Sequence, residues 1–369
     1  MTALATESSA CIAPQFTLVR KVTCMARARL FFGVLCAFFV ASVYCAEPPD
    51  LNALLQERGD ISTDDLRQLG DGFIAKQLNI GDPATGLVLV GVMKLDSDPG
   101  SVHAAMSRAH ELLGNSVDVG IKALNIIASP ARDDEFAAYE LTKVEKEALE
   151  SCELGDCRVK LTAELINYVR SLDYQAEEDA ATFTSMYRQQ LTEMVRDYQQ
   201  TGNRALWVYR DKEEPLRVQD GFEAALEEFS NALELFPNLI TYLVDFPNSQ
   251  LEGEAEEFLF WSVLDFGQRP TLTVNHVASI RPANPEFGYV VMIKNIYANH
   301  YFGGRVTLGV VLSEGSLDAP GTYLVLIDQL LYDGRLNRIL RGFVKRGIVN
   351  DMENRLRFIR ELIATQPDL

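Results

Sequence analysis

Between Thr271 and Asp333 the chain alternates apolar and polar positions. In steps of two, Leu272, Val274, His276, Ala278 and Ile280 share one side of the run Thr271–Ile280, and Thr271, Thr273, Asn275, Val277 and Ser279 share the other. That is the period of a half-buried strand. Pro282, Asn284 and Pro285 break it, and Tyr289–Phe302 resumes as a β-branched and aromatic run. Gly303-Gly304 follows, a pair suited to a tight primed turn because both central residues can take positive φ. The turn leads into Arg305–Leu312. A loop from Ser313 to Gly321 then leads to Thr322–Leu331, and Asp333-Gly334 ends the meander. Beyond it the period turns helical: Leu336, Leu340 and Phe343 recur at helical spacing, then Met352, Leu356, Ile359 and Ile363. Gly347 weakens the join, and Asn350 is placed to cap a second half. An antiparallel meander followed by such a helix buries both apolar surfaces if the sheet curves and the helix lies across its concave face. The pattern therefore predicts an α+β fold, a curved antiparallel sheet closed by a long C-terminal helix.

Upstream, Leu51–Leu78 has helical spacing with Ser62 opening a capping signal, and Leu87–Met93 is a continuous apolar run that reads as a buried strand. Asp98-Pro99-Gly100-Ser101 starts a helix through Leu113, and Lys122–Ala128 is a further strand candidate. Residues 130–247 are helical and acidic in texture. Leu141–Glu150, Thr162–Leu172, Glu178–Gln200 and Phe222–Phe236 carry helix formers, with Thr142 and Thr162 as caps and Gly202-Asn203 as a stop. Glu257–Val263 returns to strand character. The layout is a strand and helix, a large helical insertion at 130–247, then a sheet and a closing helix.

The N-terminus changes the picture. Lys21, Arg27 and Arg29 precede the apolar segment Leu30–Val43, which small residues follow, the three-part layout of a secretory signal. A bilayer span needs roughly 20 residues, more than this segment offers. Residues 1–46 are expected to be the signal, with Met25 as an alternative start, and 47–369 a single α+β domain. Acylation at Cys45 fits poorly after Tyr44, and an uncleaved membrane tether is the alternative to cleavage. The address is then periplasmic or extracellular. Removing 1–46 takes away four basic residues and one acidic one, leaving 30 basic against 51 acidic and a net charge of −21. Such a chain is repelled by nucleic acid and by anionic headgroups. Cys152 and Cys157 are the cysteines that remain, and a pair in an exported chain points to a disulfide across the Gly155-Asp156 turn. Free thiols are the second reading, and a zinc site the third, since two thiols lack further ligands nearby.

The strand and helix of Leu87–Leu113, the meander and C-terminal helix of Thr271–Ile363, and Gly334-Arg-Leu-Asn-Arg338 leading into that helix together resemble the START and polyketide-cyclase-like helix-grip superfamily. The resemblance lies in layout and covers about half of the expected mature chain. It implies a lipid, sterol or other apolar ligand held between sheet and helix. The central insertion departs from that layout.

Catalytic and cofactor motifs are absent from the sequence: it has no Gly-x-Ser-x-Gly, His-Glu-x-x-His, phosphate loop or dinucleotide fingerprint, and none of its four histidines stands at metal-ligand spacing from another. No cofactor or metal is expected, and an enzyme ranks behind two other readings. The first is a binding module for an apolar ligand in the cell envelope. The second is an envelope interaction or assembly protein with a dry core. Candidate ligand-binding residues are His276 on the apolar side of its strand, Asn299, Arg305, Asp328 and Trp261; each has a plain packing role as its alternative. His300 is expected at the solvent, and Asp328 is expected to pair with Arg305 or His300 across strands. Trp207 and Tyr209 share Trp261's two readings, pocket or core. The basic C-terminal helix, with Arg341 on its outer side, either pairs with the acidic body or offers a docking stripe to an acidic partner or a membrane.

Overall fold

The computed structural model describes residues 51–70, 72–78, 80–102, 121–172, 177–228, 235–265, 269–284, 286–313, 321–334 and 338–364. All belong to the compact unit Glu47–Leu369. The signal expected at 1–46, most of the helix expected up to Leu113, Leu336, and the side chains of Leu340 and Phe343 lie outside what is described.

Helices α1 (Leu51–Gly59) and α2 (Thr63–Arg67) open this unit. Ser62 caps α2 in a reciprocal box with Asp65, as the sequence signalled. Strands β1 (Phe73–Leu78) and β2 (Gly86–Leu95) form a hairpin, and β3 (Ile121–Ile127) follows. The insertion holds α3 (Lys143–Glu150), α4 (Ala163–Val169), α5 (Glu177–Thr201), the two-residue strands β4 (Val208–Tyr209) and β5 (Leu216–Arg217), α6 (Val218–Glu228) and α7 (Pro237–Asp245). Thr142 and Thr162 cap α3 and α4. Then come β6 (Ala255–Asp265), β7 (Pro270–Ile280), β8 (Phe287–Ala298), β9 (Phe302–Leu312), β10 (Thr322–Tyr332) and α8 (Arg338–Ala364).

Eight strands form one open, wholly antiparallel sheet in the order β1-β2-β10-β9-β8-β7-β6-β3. The meander spans its middle, and the last strand returns to pair with β2. Both faces are covered, which corrects the half-buried alternation. On β7, Leu272, Val274 and Ala278 pack with insertion residues such as Tyr198, Leu239 and Leu243. The opposite positions Thr271, Thr273 and Ser279 are buried just as completely. Leu89, Met93, Leu324 and Leu326 on that second face pack with Ile348, Met352, Leu356 and Ile359 of α8. Helix α8 is continuous, so Asn350 caps nothing. A Cβ on Gly91 would come within 2.8 Å of the Met352 sulfur and 3.0 Å of Leu356; the glycine is the seat of the helix on β2. The basic stripe is partly turned inward: Arg355 reaches into the sheet, Arg360 donates to the Gly72 carbonyl, and Arg341 is half-buried.

Gly303-Gly304 is not a turn. The reversal between β8 and β9 falls at 299–301, with Tyr301 at φ 61°, and both glycines lie in β9. Their use is close approach. A Cβ on Gly221 of α6 would stand 1.9 Å from the Gly303 carbonyl oxygen, and one on Gly304 would stand 2.3 Å from the Gly221 carbonyl oxygen. Backbone meets backbone where the insertion docks. Gly221→Ala is accordingly expected to destabilise by about 1–3 kcal/mol, the usual range for overpacking, read by denaturant titration; an unchanged midpoint would show that α6 can stand off the sheet at no cost.

Cys152 and Cys157 are bonded, with Gly155 at φ 84° in the turn between them. The hairpin they close is tied to the chain before β5 by bonds from Gly155 N–H to Arg210 O and from Cys157 N–H to Asp211 O. No helix among the described residues is long and apolar enough to cross a membrane.

Candidate functional site

The sheet brings His276 of β7 opposite Leu259 of β6 and Lys294 of β8. His276 and Lys294 both point at the insertion and have no exposed surface. The Lys294 ammonium donates to the Leu243 carbonyl at 3.1 Å, to Tyr198 Oη at 3.3 Å and to Asn203 Oδ1. It also lies 4.1 Å from the Phe222 ring centre and 5.2 Å from that of Tyr198, both attractive for a cation. Burial draws its pKa down to about 7, against a weaker pull upward from Glu223. Three acceptors and two ring faces favour the charged form, an ammonium.

Chemistry sets the direction of the bonds beyond it. An ammonium only donates, so Tyr198 Oη accepts from Lys294 and its own hydrogen goes to His276 Nδ1, 2.8 Å away. The imidazole hydrogen is thereby assigned to Nε2, which lies 3.2 Å from Glu257 Oε1. That contact is ionic in range but poorly aligned, and Nε2 has no well-directed partner. Burial lowers the His276 pKa while Glu257 opposes the shift. Phe246, Tyr198 and Tyr242 ring the imidazole at 4.5, 5.6 and 5.9 Å. A directed row thus runs from Lys294 through Tyr198 and His276 to Glu257, whose side chain is 34% exposed.

The other candidates fall elsewhere. Trp261 of β6 shares the insertion face, where its Nε1 donates to the Glu135 carbonyl at 3.0 Å and its ring stacks on Phe136. Trp207 and Tyr209 both set an edge against the Tyr297 ring. Asn299, just past β8, accepts from Leu272 N–H at 2.9 Å and donates to the buried Glu145 at 2.7 Å. His300 is buried, contrary to the expected exposure, and burial holds its pKa at about 4; docking of the insertion covers what local sequence places at a sheet end.

Arg305 and Asp328 lie on the α8 face. Their expected pairing is present, with bonds of 3.0 and 2.6 Å. Thr307 adds a bond of 2.9 Å to Asp328, Arg355 of α8 one of 2.7 Å, and Asp351 meets both arginines at 3.3 and 2.9 Å. On the same face a polar row crosses β6, β7 and β8. Ser262 meets Thr273 at 2.9 Å, Asn275 donates to Thr273 at 3.0 Å, and Asn295 donates to Asn275 at 3.1 Å. Val277 and Val291, buried, and Phe258, Phe260 and Ile293, partly buried, flank it. The principal contacts of α8 gather on β1 and β2.

The chain matches no protein-family model, no curated protein and no solved structure. Its chemistry therefore rests on these two faces. Among the described residues no three His, Cys, Asp or Glu side chains group at metal-binding distance. Sequence reasoning missed Lys294, Tyr198 and Glu257. A single lysine inside Tyr289–Phe302 was the available signal for the first, since a lone cation in an apolar strand needs acceptors. The partners come from 96 residues upstream and from a neighbouring strand, with no local mark.

Proposed function

We propose that this chain is an exported binding module for an apolar, lipid-like ligand held between the sheet and α8. The polar row on the α8 face carries the reading. The row lies on β6–β8, beyond the strands β1 and β2 on which α8 principally sits, and a ligand with one polar end needs a few placed groups of this kind within an apolar lining. Ser262, Thr273, Asn275 and Asn295 form such a group, set among Val277, Val291, Ile293, Phe258 and Phe260. Pairing of β2 with the last strand, and the seat of α8 on Gly91, agree with the helix-grip resemblance and its curved, gripped sheet. The bonded cysteines agree with a periplasmic or extracellular address.

The test is native mass spectrometry and solvent extraction of the exported protein. An apolar compound should co-purify at close to one per chain. Asn275→Val should weaken its retention by roughly fivefold, about the worth of one hydrogen bond, and His276→Gln on the opposite face should leave retention unchanged. A chain that carries nothing and takes up no fluorescent fatty-acid or sterol probe would refute the reading. A dry-cored envelope interaction or assembly protein would then stand in its place.

A further inference from the structure

The row Lys294–Tyr198–His276–Glu257 lies on the face away from the proposed ligand space and has no part in that reading. It is also where the insertion is fastened to the sheet. Lys294 and His276 belong to β8 and β7, while the groups that meet them come from four insertion segments: Tyr198 from α5, Asn203 from the turn after it, Phe222 from α6, and Leu243 from α7. Tyr242 and Phe246 close the imidazole off. The charged groups facing the row are Glu257 of β6, against His276, and Glu223 of α6, which acts on Lys294.

We propose that this row is an acid-sensitive latch, in which a proton taken up by His276 releases the helical insertion from the sheet. The hydrogen-bond polarity supplies the mechanism. In the neutral imidazole, Nδ1 is the acceptor for the Tyr198 hydrogen. A proton on Nδ1 turns that acceptor into a donor, so Lys294 and His276 both aim hydrogens at Tyr198 Oη, and the hydroxyl hydrogen loses its partner. The same proton places a second positive charge in a dry site beside the Lys294 ammonium, opposed at contact distance by Glu257. Every one of these costs falls on the docked state and vanishes when the insertion lifts. Water reaches Glu257, which gives the proton a route. The sign follows from linkage. Burial depresses the docked-state pKa of His276, so the stabilisation is complete above the ordinary histidine value and is lost as pH falls below it.

The chain's two tryptophans report on this junction, since Trp261 is bonded to Glu135 of the insertion and Trp207 sets its edge against Tyr297 of β8. The experiment is a pH series on the full exported chain from 7.5 to 5, following tryptophan emission and amide exchange of α5 and α7 corrected for intrinsic rate. Emission should shift to the red, and exchange of α5 and α7 should rise by about tenfold for each unit separating the docked and free histidine pKa values, while β9 and β10 stay protected. His276→Gln should abolish the transition in this range. Glu257→Gln, at a partly exposed position that threatens folding least, should move its midpoint to higher pH, because the docked histidinium loses its counter-charge. Three results would overturn the latch: no transition in the unmodified chain, the same transition in His276→Gln, or an unmoved midpoint in Glu257→Gln. The second would assign the acid response to another group such as His300.

Discussion

Asp328→Ala should destabilise the protein by about 3–5 kcal/mol, the cost of breaking a buried ion pair by removing one partner. Asp328 has no exposed side-chain surface and is the common acceptor for Arg305, Arg355 and Thr307. Removing it leaves two largely buried guanidinium groups with Asp351 as the carboxylate that both still meet. The loss therefore falls on both the sheet and the docking of α8. Burial by itself would raise the Asp328 pKa, but Arg305 and Arg355 outweigh it and hold the carboxyl well below its ordinary range. Its stabilisation is thus complete above the unfolded carboxylate pKa of about 4 and is lost only as pH falls below that value. Urea titration at pH 7 gives the cost directly. A loss under about 1 kcal/mol, the scale of an exposed pair, would mean that solvent reaches this cluster and that α8 is not fastened through it.

Leu356→Ala should cost about 2–5 kcal/mol, the range for truncating a fully buried leucine. Its side chain is completely buried beside Gly91, where β2 offers no Cβ and the helix settles close to the strand. Little can collapse into the space, because Met352 occupies the neighbouring position against a rigid strand. Lys345→Ala on the exposed side should change stability by no more than about 0.5 kcal/mol. Denaturant titration of the pair tests the asymmetry of the helix. Equal, small costs on both sides would mean that α8 does not cover the sheet, and the helix-grip reading would fall with it.

Much of the element inventory was legible from local pattern. Long alternating runs gave β7, β8 and β10, because side-chain period is local and survives any tertiary context. Ser62, Thr142 and Thr162 marked helix starts, since a cap is a bond between residues three apart. The cysteine pair needed only proximity in sequence. The edge strand β1 corrects the helical reading of Leu51–Leu78 over its last six residues: five of the six are half-buried, so its faces differ too little to alternate clearly.

What covers each face was decided only by tertiary structure. Period two separates the two sides of β7 but cannot say that Thr273 and Ser279 are as buried as Val274, because that depends on elements that pack from far along the chain. Gly303-Gly304 carried the composition of a turn and serves as a landing for the backbone of Gly221, a use visible only once α6 is in place. His276 was legible as an inward-facing residue, but Lys294, Tyr198 and Glu257 were not legible as its company. Strand register sets Lys294 across from it, the neighbouring strand brings Glu257, and the insertion delivers Tyr198. Register and docking are settled by the summed burial of many distant residues, and no single stretch of sequence holds that sum.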